Sequence, residues 1–362
     1  MIRTRIGRVL DIVTRRPGLT RAVVEVEGMR ATAVAYEGVV SPLKVGDEVL
    51  LNTTAVYMGL GTGGDHFVIA NLSCPHTDLR GPGHIMKLRY TPGQVKVCAA
   101  EEDDSPHHKK TAGFESQGHM PVVAASVHSA LACIAGGVKA ARESARVVYV
   151  MTDGGALPLA LSDLVVELKR ARLIEATVTV GHAFGGEHEA VNVYSGLAVA
   201  KQVAGADVAV VCMGPGGVGT GTSLGFSGVE QGIALNAAYS LGGLPIAALR
   251  ISFADERRRH RGVSHHSLTV LSKIALTRAE VAVPMLEAGE MELVRRQLRE
   301  AGIEQRHELH EIDGAPALER LAEADVRPTS MGRSVEQDPA FFLAAGAAGI
   351  LAARMIPGTA RQ

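Results

Sequence analysis

Residue types that handle small charged molecules collect in a few short runs of this chain. The most distinctive is Gly214-Pro215-Gly216-Gly217-Val218-Gly219-Thr220-Gly221-Thr222-Ser223. Glycines without a Cβ let backbone N–H groups converge on an anion, and a following helix would point its positive end at the same place. Thr220, Thr222 and Ser223 add hydroxyl donors. Gly214, Gly216 and Gly219 meet the spacing of a dinucleotide fingerprint. The run follows a middle strand, however, with no acidic residue about 20 positions later to hold a ribose and no phosphate-loop lysine. The expectation is a cradle for phosphate or carboxylate, formed by Gly214, Gly216, Gly217, Gly219, Thr220, Thr222 and Ser223. The competing reading is a tight packing turn.

A second group is His128, Asp153, His182 and His188, with Glu187 beside the last. Neutral imidazoles with a carboxylate are a donor set for zinc, manganese or iron. No pair of histidines has helical ligand spacing, so a divalent metal on these four would need convergence from separate loops. The alternative puts His182, His188 and Asp153 in proton transfer, with His128 as a ligand contact. A third group is Arg257-Arg258-Arg259-His260-Arg261-Gly262-Val263-Ser264-His265-His266-Ser267. Guanidinium forks match carboxylates and phosphates. From this run Arg261 and His265 are expected at the ligand, with Ser264 capping a helix; the alternative is a solvated basic loop. A fourth run, Thr329-Ser330-Met331-Gly332-Arg333-Ser334, either brings Arg333 to the same place or only turns the chain. No activated nucleophile is recognisable.

Patterning predicts the elements that would position these groups. Short β-rich segments at 5–12, 21–26, 30–36, 48–51 and 66–71, separated by turn residues, predict a small closed barrel over 1–80. Residues 81–120 read as a connector and a long polar loop, with 101–118 a candidate lid. From 121 to 357, apolar strands alternate with helical stretches. The strands are 122–127, 147–151, 176–180, 208–213, 246–251, 281–283 and 308–312; the helices include 159–171, 290–301 and 340–355. Strands apolar on both faces imply a doubly wound, mostly parallel α/β sheet. In such a sheet ligands bind beyond the strand C-termini. The polar and glycine-rich runs sit at those strand exits.

Composition narrows the classes further. Of 362 residues, 46% are apolar and 21% charged, which suits two folded domains. A formal net charge of −1 gives no global pull toward nucleic acid or an anionic membrane. The N-terminus leads into no apolar run, so no secretory signal is expected. The longest apolar stretch, 341–353, falls short of a bilayer span. Cys74, Cys98, Cys133 and Cys212 have no metal-knuckle or redox spacing, which favours free thiols and a cytoplasmic location. Small residues at Ala344, Ala345, Gly346, Ala348 and Gly349 suggest either a homodimer contact or packing within the chain.

Together, the segment 83–92, the run Gly185-Gly186-Glu187-His188-Glu189, the glycine loop 214–222 and the run Arg261-Gly262-Val263-Ser264-His265-His266 resemble a bacterial protein family of unknown function. The resemblance covers nearly the whole chain and supplies no catalytic residues. Two readings remain: an enzyme acting on a small phosphorylated or carboxylated metabolite, or a non-catalytic ligand sensor or assembly protein with the barrel as its interaction module.

Overall fold

A computed structural model describes residues 1–61 and 63–358. The chain divides into two compact units, Met1–Cys98 and Ala99–Gln362.

The first unit is built on a closed barrel of β1 (Thr4–Arg16), β2 (Leu19–Val26), β3 (Met29–Tyr36), β4 (Glu48–Asn52) and β5 (His66–Asn71), in the order β1-β2-β3-β5-β4. β1 is long enough to pair with both β2 and β4, and irregularities at Val9/Asp11 and Ile12/Thr14 bend it around the barrel. Alternation points Val9, Val24, Val49, Leu51 and Val68 into the interior, all buried. The barrel is thus filled with aliphatic side chains. A short ribbon of β6 (Ile85–Lys87) and β7 (Val95–Val97) completes this unit.

The second unit is an eight-stranded sheet with every strand parallel, in the order β11-β10-β9-β12-β8-β13-β16-β17. Its strands are β8 (Pro121–Ala124), β9 (Val147–Thr152), β10 (Ala176–Thr179), β11 (His188–Glu189), β12 (Val208–Met213), β13 (Leu244–Ala248), β16 (Glu280–Pro284) and β17 (Glu308–Ile312). A separate ribbon pairs β14 (Ile251–Ser252) with β15 (Gly262–Val263). Every residue of β8, β9, β10 and β12 is buried, as expected where helices cover both faces. The expected strand 246–251 ends at Ala248, and Ile251 joins the β14–β15 ribbon instead.

Two helical layers cover the sheet. Leu131–Ala141, Asp163–Arg170 and most of Pro339–Arg354 pack on one face, and Val193–Gln202, Glu230–Ser240 and Ala288–Glu300 on the other. Ser162 caps the second of these helices by accepting the Val165 N–H, so the expected 159–171 helix splits into a 3₁₀ turn and a shorter α-helix.

Residues 101–118 are tethered. They contain a short helix, His108–Ala112, and bury Glu102, Ser105 and Gln117. Backbone bonds from Ala100 N–H to Glu189 and from Gln117 N–H to Leu241 tie both ends to the sheet unit. The small residues of the last helix are consumed inside the chain. A Cβ on Gly349 would stand 2.0 Å from the Ile134 carbonyl, and one on Gly137 would stand 2.3 Å from the Gly346 carbonyl. Helices Leu131–Ala141 and Pro339–Arg354 therefore meet backbone to backbone, and this stripe offers no dimer surface. No helix among the described residues is long and apolar enough to cross a membrane.

This contact makes a direct prediction. Gly137→Val should lower unfolding free energy by about 3 kcal/mol through overpacking. Gly289→Ala, at an exposed helical position with nothing within 4 Å of the new Cβ, should be neutral or slightly stabilising. Urea midpoints of the two variants check this; equal midpoints would refute the close approach.

Candidate functional site: a cavity at the sheet's switch point

From β8 the chain leaves through helix Leu131–Ala141 on one face to reach β9. From β12, which lies beside β8, it crosses to β13 through helix Glu230–Ser240 on the other. The two exits diverge, and the gap between them is where an open parallel sheet binds ligands. A cavity of about 500 Å³ occupies it, within the size range of small-molecule sites. Its walls come from Ser126 to Ser129 after β8, Asp163, Leu164 and Glu167 of the helix Asp163–Arg170, Met213 to Gly219 after β12, the arginine- and histidine-bearing segment beyond β13, and Arg327 to Met331 on the return to the last helix.

His128 forms part of the wall but has no ring nitrogen to spare. Its Nε2 lies 2.7 Å from Ser162 Oγ and its Nδ1 lies 3.1 Å from the Tyr149 hydroxyl, which also lies 3.1 Å from the Met213 carbonyl. One proton arrangement satisfies the whole chain: Ser162 donates to Nε2, Nδ1–H donates to Tyr149, and Tyr149 donates to Met213. This relay stitches the β8 exit to the β12 exit. Burial pushes the imidazole down to about 4, so it stays neutral.

The glycine loop is exposed from Gly216 to Leu224. Gly216 and Gly221 have left-handed backbones, with φ of 90° and 82°. Gly214 is required for another reason: a Cβ there would stand 2.4 Å from the Ala156 carbonyl. The threonine hydroxyls brace the loop. Thr220 Oγ1 lies 3.0 Å from Thr222 Oγ1 and donates to the Gly225 carbonyl at 3.0 Å, while Thr222 Oγ1 accepts the Gly225 N–H at 3.1 Å. Gly214, Gly216, Gly217 and Gly219 line the cavity; Thr220, Thr222 and Ser223 do not. The helix expected directly after the loop begins at Glu230, behind a 3₁₀ turn at Ser227–Val229.

The positive charge is graded by two buried carboxylates. Asp255 accepts Nε and Nη2 of Arg257 at 2.9 and 2.7 Å, with Arg333 and Arg250 at 3.8 and 3.9 Å. The Arg257 hydrogen bonds hold the Asp255 carboxyl well below the usual range. Asp338 accepts from Arg333 Nε at 3.1 Å and from Ser252 Oγ at 2.7 Å. Arg333 thus neutralises buried charge and lies outside the cavity lining. Arg259 lines the cavity and makes no salt bridge among the described residues. Its guanidinium carbon lies 3.7 Å from where a Gly221 Cβ would stand, so a full positive charge sits against the glycine loop.

Three histidines lie beside these arginines. Each of His260, His265 and His266 offers a ring nitrogen within 4.8 Å of the other two. Burial first, then nearby arginines, push His260 down to about 4 and His266 to about 3, and lower His265.

The other predicted residues are placed elsewhere. Asp153 Oδ2 accepts the His182 backbone N–H at 2.8 Å, which fixes the turn after β10. His188 is half-buried in β11, edge-on to His107 at 5.2 Å, and its pKa is lowered by burial and then by His107. Neither Asp153, His182 nor His188 lines the cavity. With His128 they do not bring their ligand atoms together among the described residues, whereas His260, His265 and His266 do. Arg261 is also outside the lining; its carbonyl accepts from Gln297. Reasoning from sequence did not single out Arg250; it named the 257–267 run and its arginines 257 to 261 as a source of charge, but chose Arg261 and His265 from it, whereas Arg259, His260 and His266 are the ones that line the cavity. The signal available for the histidines was their recurrence at 260, 265 and 266 across the start of one helix.

Fold and site define an α/β protein with a small barrel unit and a parallel-sheet unit that carries an arginine- and glycine-walled cavity at its strand ends. The chain belongs to the family described as protein of unknown function (DUF3866), whose model matches residues 32–349. No curated protein matches the chain.

The buried neutral histidines predict a pH dependence. Unfolded histidines take up protons near pH 6.5, while folded His128 refuses them until about pH 4. The unfolded state binds more protons in that window, so stability falls as pH drops from about 6.5 toward 4. Urea midpoints should decrease across this range, and His128→Gln should flatten the decrease. An unchanged slope in the variant would contradict the neutral-imidazole relay.

Proposed function

We propose that the sheet unit binds a small phosphorylated or carboxylated metabolite in the switch-point cavity. The observation that carries this reading is the juxtaposition of Arg259, which has no carboxylate partner among the described residues, with an exposed loop containing left-handed Gly216 and Gly221. A guanidinium supplies charge and paired donors, and the glycine backbone supplies uncharged N–H groups at close approach. Gly214, Gly216, Gly217 and Gly219 contribute the loop wall and Arg250 a half-buried neighbouring charge.

The reading is one of binding. The residues first considered for proton transfer, Asp153, His182 and His188, lie outside the cavity lining, and both nitrogens of His128 are engaged. This placement favours the non-catalytic sensor over an enzyme that uses those four groups.

Thermal-shift and calorimetric titration with inorganic phosphate and sulfate tests the proposal. Both anions should raise the melting midpoint of the wild type, and less so at high ionic strength. Arg259→Ala should weaken binding by roughly tenfold or more, the scale of one charge-assisted hydrogen bond. Gly216→Val should weaken it further, because a β-branched residue resists φ of 90°. Gly219→Ala, whose Cβ would make only an ordinary contact at 3.5 Å, should retain the response. Absence of any anion effect on the wild type would reduce the loop to a packing turn.

A further inference from the structure

We propose that His260, His265 and His266 bind a divalent transition metal ion of the zinc class in the wall of the cavity. The site differs from the set of His128, Asp153, His182 and His188 that the sequence suggests, and it does not depend on anion binding.

Geometry carries the argument. The three rings lie with centroids 5.0, 5.0 and 4.4 Å apart, inclined to one another by 50°, 89° and 61°. That is a converging arrangement, unlike a parallel stack. A tetrahedral zinc with bonds of about 2.0–2.1 Å sets its ligand nitrogens about 3.3 Å apart. The present separations, within 4.8 Å, therefore close by small ring rotations. His265 Nε2 is buried and has no hydrogen-bond partner among the described residues. A buried imidazole nitrogen without a partner carries a desolvation cost that a metal bond would remove.

The surroundings orient the other two rings. His260 Nδ1 lies 2.7 Å from Ser264 Oγ. In the tautomer that donates Nδ1–H to that oxygen, the lone pair falls on Nε2, the arrangement typical behind a metal-bound histidine. His266 is stacked on Phe226 at 3.8 Å between centroids with the planes 1° apart, so its ring plane is held by packing. His266 Nδ1 has only a 3.3 Å contact from Arg250. A metal on that nitrogen displaces Arg250 toward Asp255, whose carboxylate is already 3.9 Å from it.

Neutral imidazoles suit zinc, cobalt, nickel and copper better than calcium or magnesium. The neighbouring arginines oppose a dication, and Asp255 and Asp338 offset part of their charge. His260 and His266 line the cavity, so a fourth ligand would enter from it: a water, or an oxygen of a bound anion.

The test uses the tag-free full chain, stripped with chelator and titrated with Zn²⁺ and Co²⁺ in phosphate-free buffer. We expect one equivalent of metal per chain and visible Co²⁺ absorption from a nitrogen-ligated ion. His265→Ala, which gives up no hydrogen bond at Nε2, and His260→Ala should both lose the equivalent and the absorption. Ser264→Ala should keep the stoichiometry and bind roughly 10–100-fold more weakly. Wild type that binds no stoichiometric metal would overturn the proposal. So would full binding by a folded His265→Ala or His260→Ala chain, or binding lost instead in a His107→Ala/His188→Ala control. Anion titration in the presence of chelator reads the cavity proposal separately, so failure of one leaves the other standing.

Discussion

Every strand of the large sheet runs in the same direction, and this constraint shapes the rest of the second unit. Parallel pairing forces each connection to cross a face of the sheet, so both faces are covered by helices and the strands must be apolar throughout. Val147–Thr152 and Val208–Met213, buried at every position, meet that demand. Polar chemistry is thereby expelled to the strand ends, and one polarity gathers all the exits along one edge. Where β8 and β12 send their connections to opposite faces, the edge opens. The same geometry demands close helix packing, which explains glycine at 137 and 349, where no Cβ fits.

The second constraint is electrostatic. Asp255 and Asp338 are almost fully buried, and an isolated buried carboxylate is costly unless paired and hydrogen-bonded. Arg257 and Arg333 supply the pairing, and Ser252 donates to Asp338. These arginines are therefore committed to the fold, whereas Arg259 lines the cavity and makes no salt bridge among the described residues. The pairing also ties Ser252, Asp255 and Arg257 to the start of the last helix, in the segment that leads to His260. The pKa values of His260 and His266 are lowered by burial first, reinforced by Arg250 and Arg257. An imidazole cluster that resists protonation is suited to a metal or to packing, and less suited to shuttling protons near neutral pH.

A third relation concerns the small polar groups, which mostly stabilise turns here. The Thr220 and Thr222 hydroxyls fold inward to hold the glycine loop, and Asp153 holds the turn that contains His182. Ser162 caps a helix and also bonds His128. Short polar side chains compete for nearby backbone groups before they reach outward, and Thr220, Thr222 and Asp153 brace turns in this way.

Local pattern settled the elements. The β-branched runs near the N-terminus, the uniformly apolar strands and the proline- and glycine-marked helix ends are short-range features, and they were sufficient to indicate a small barrel followed by a parallel α/β sheet. The glycine loop was equally legible, because glycine permits the left-handed backbone that Gly216 and Gly221 adopt. Partnerships were not legible. Ser252 and Asp338 lie 86 positions apart and His128 and Ser162 lie 34 apart, and no local period encodes such pairs. Whether Arg259 or Arg261 meets the cavity, whether His128 keeps a free nitrogen, and whether the small residues of the last helix face a partner or helix Leu131–Ala141 depended on how distant segments pack. Period and polarity of each element arise from neighbours along the chain, and so were written in the residues themselves. Which side chains meet was set by folding, since hydrogen bonds and ion pairs depend on distances across the sheet.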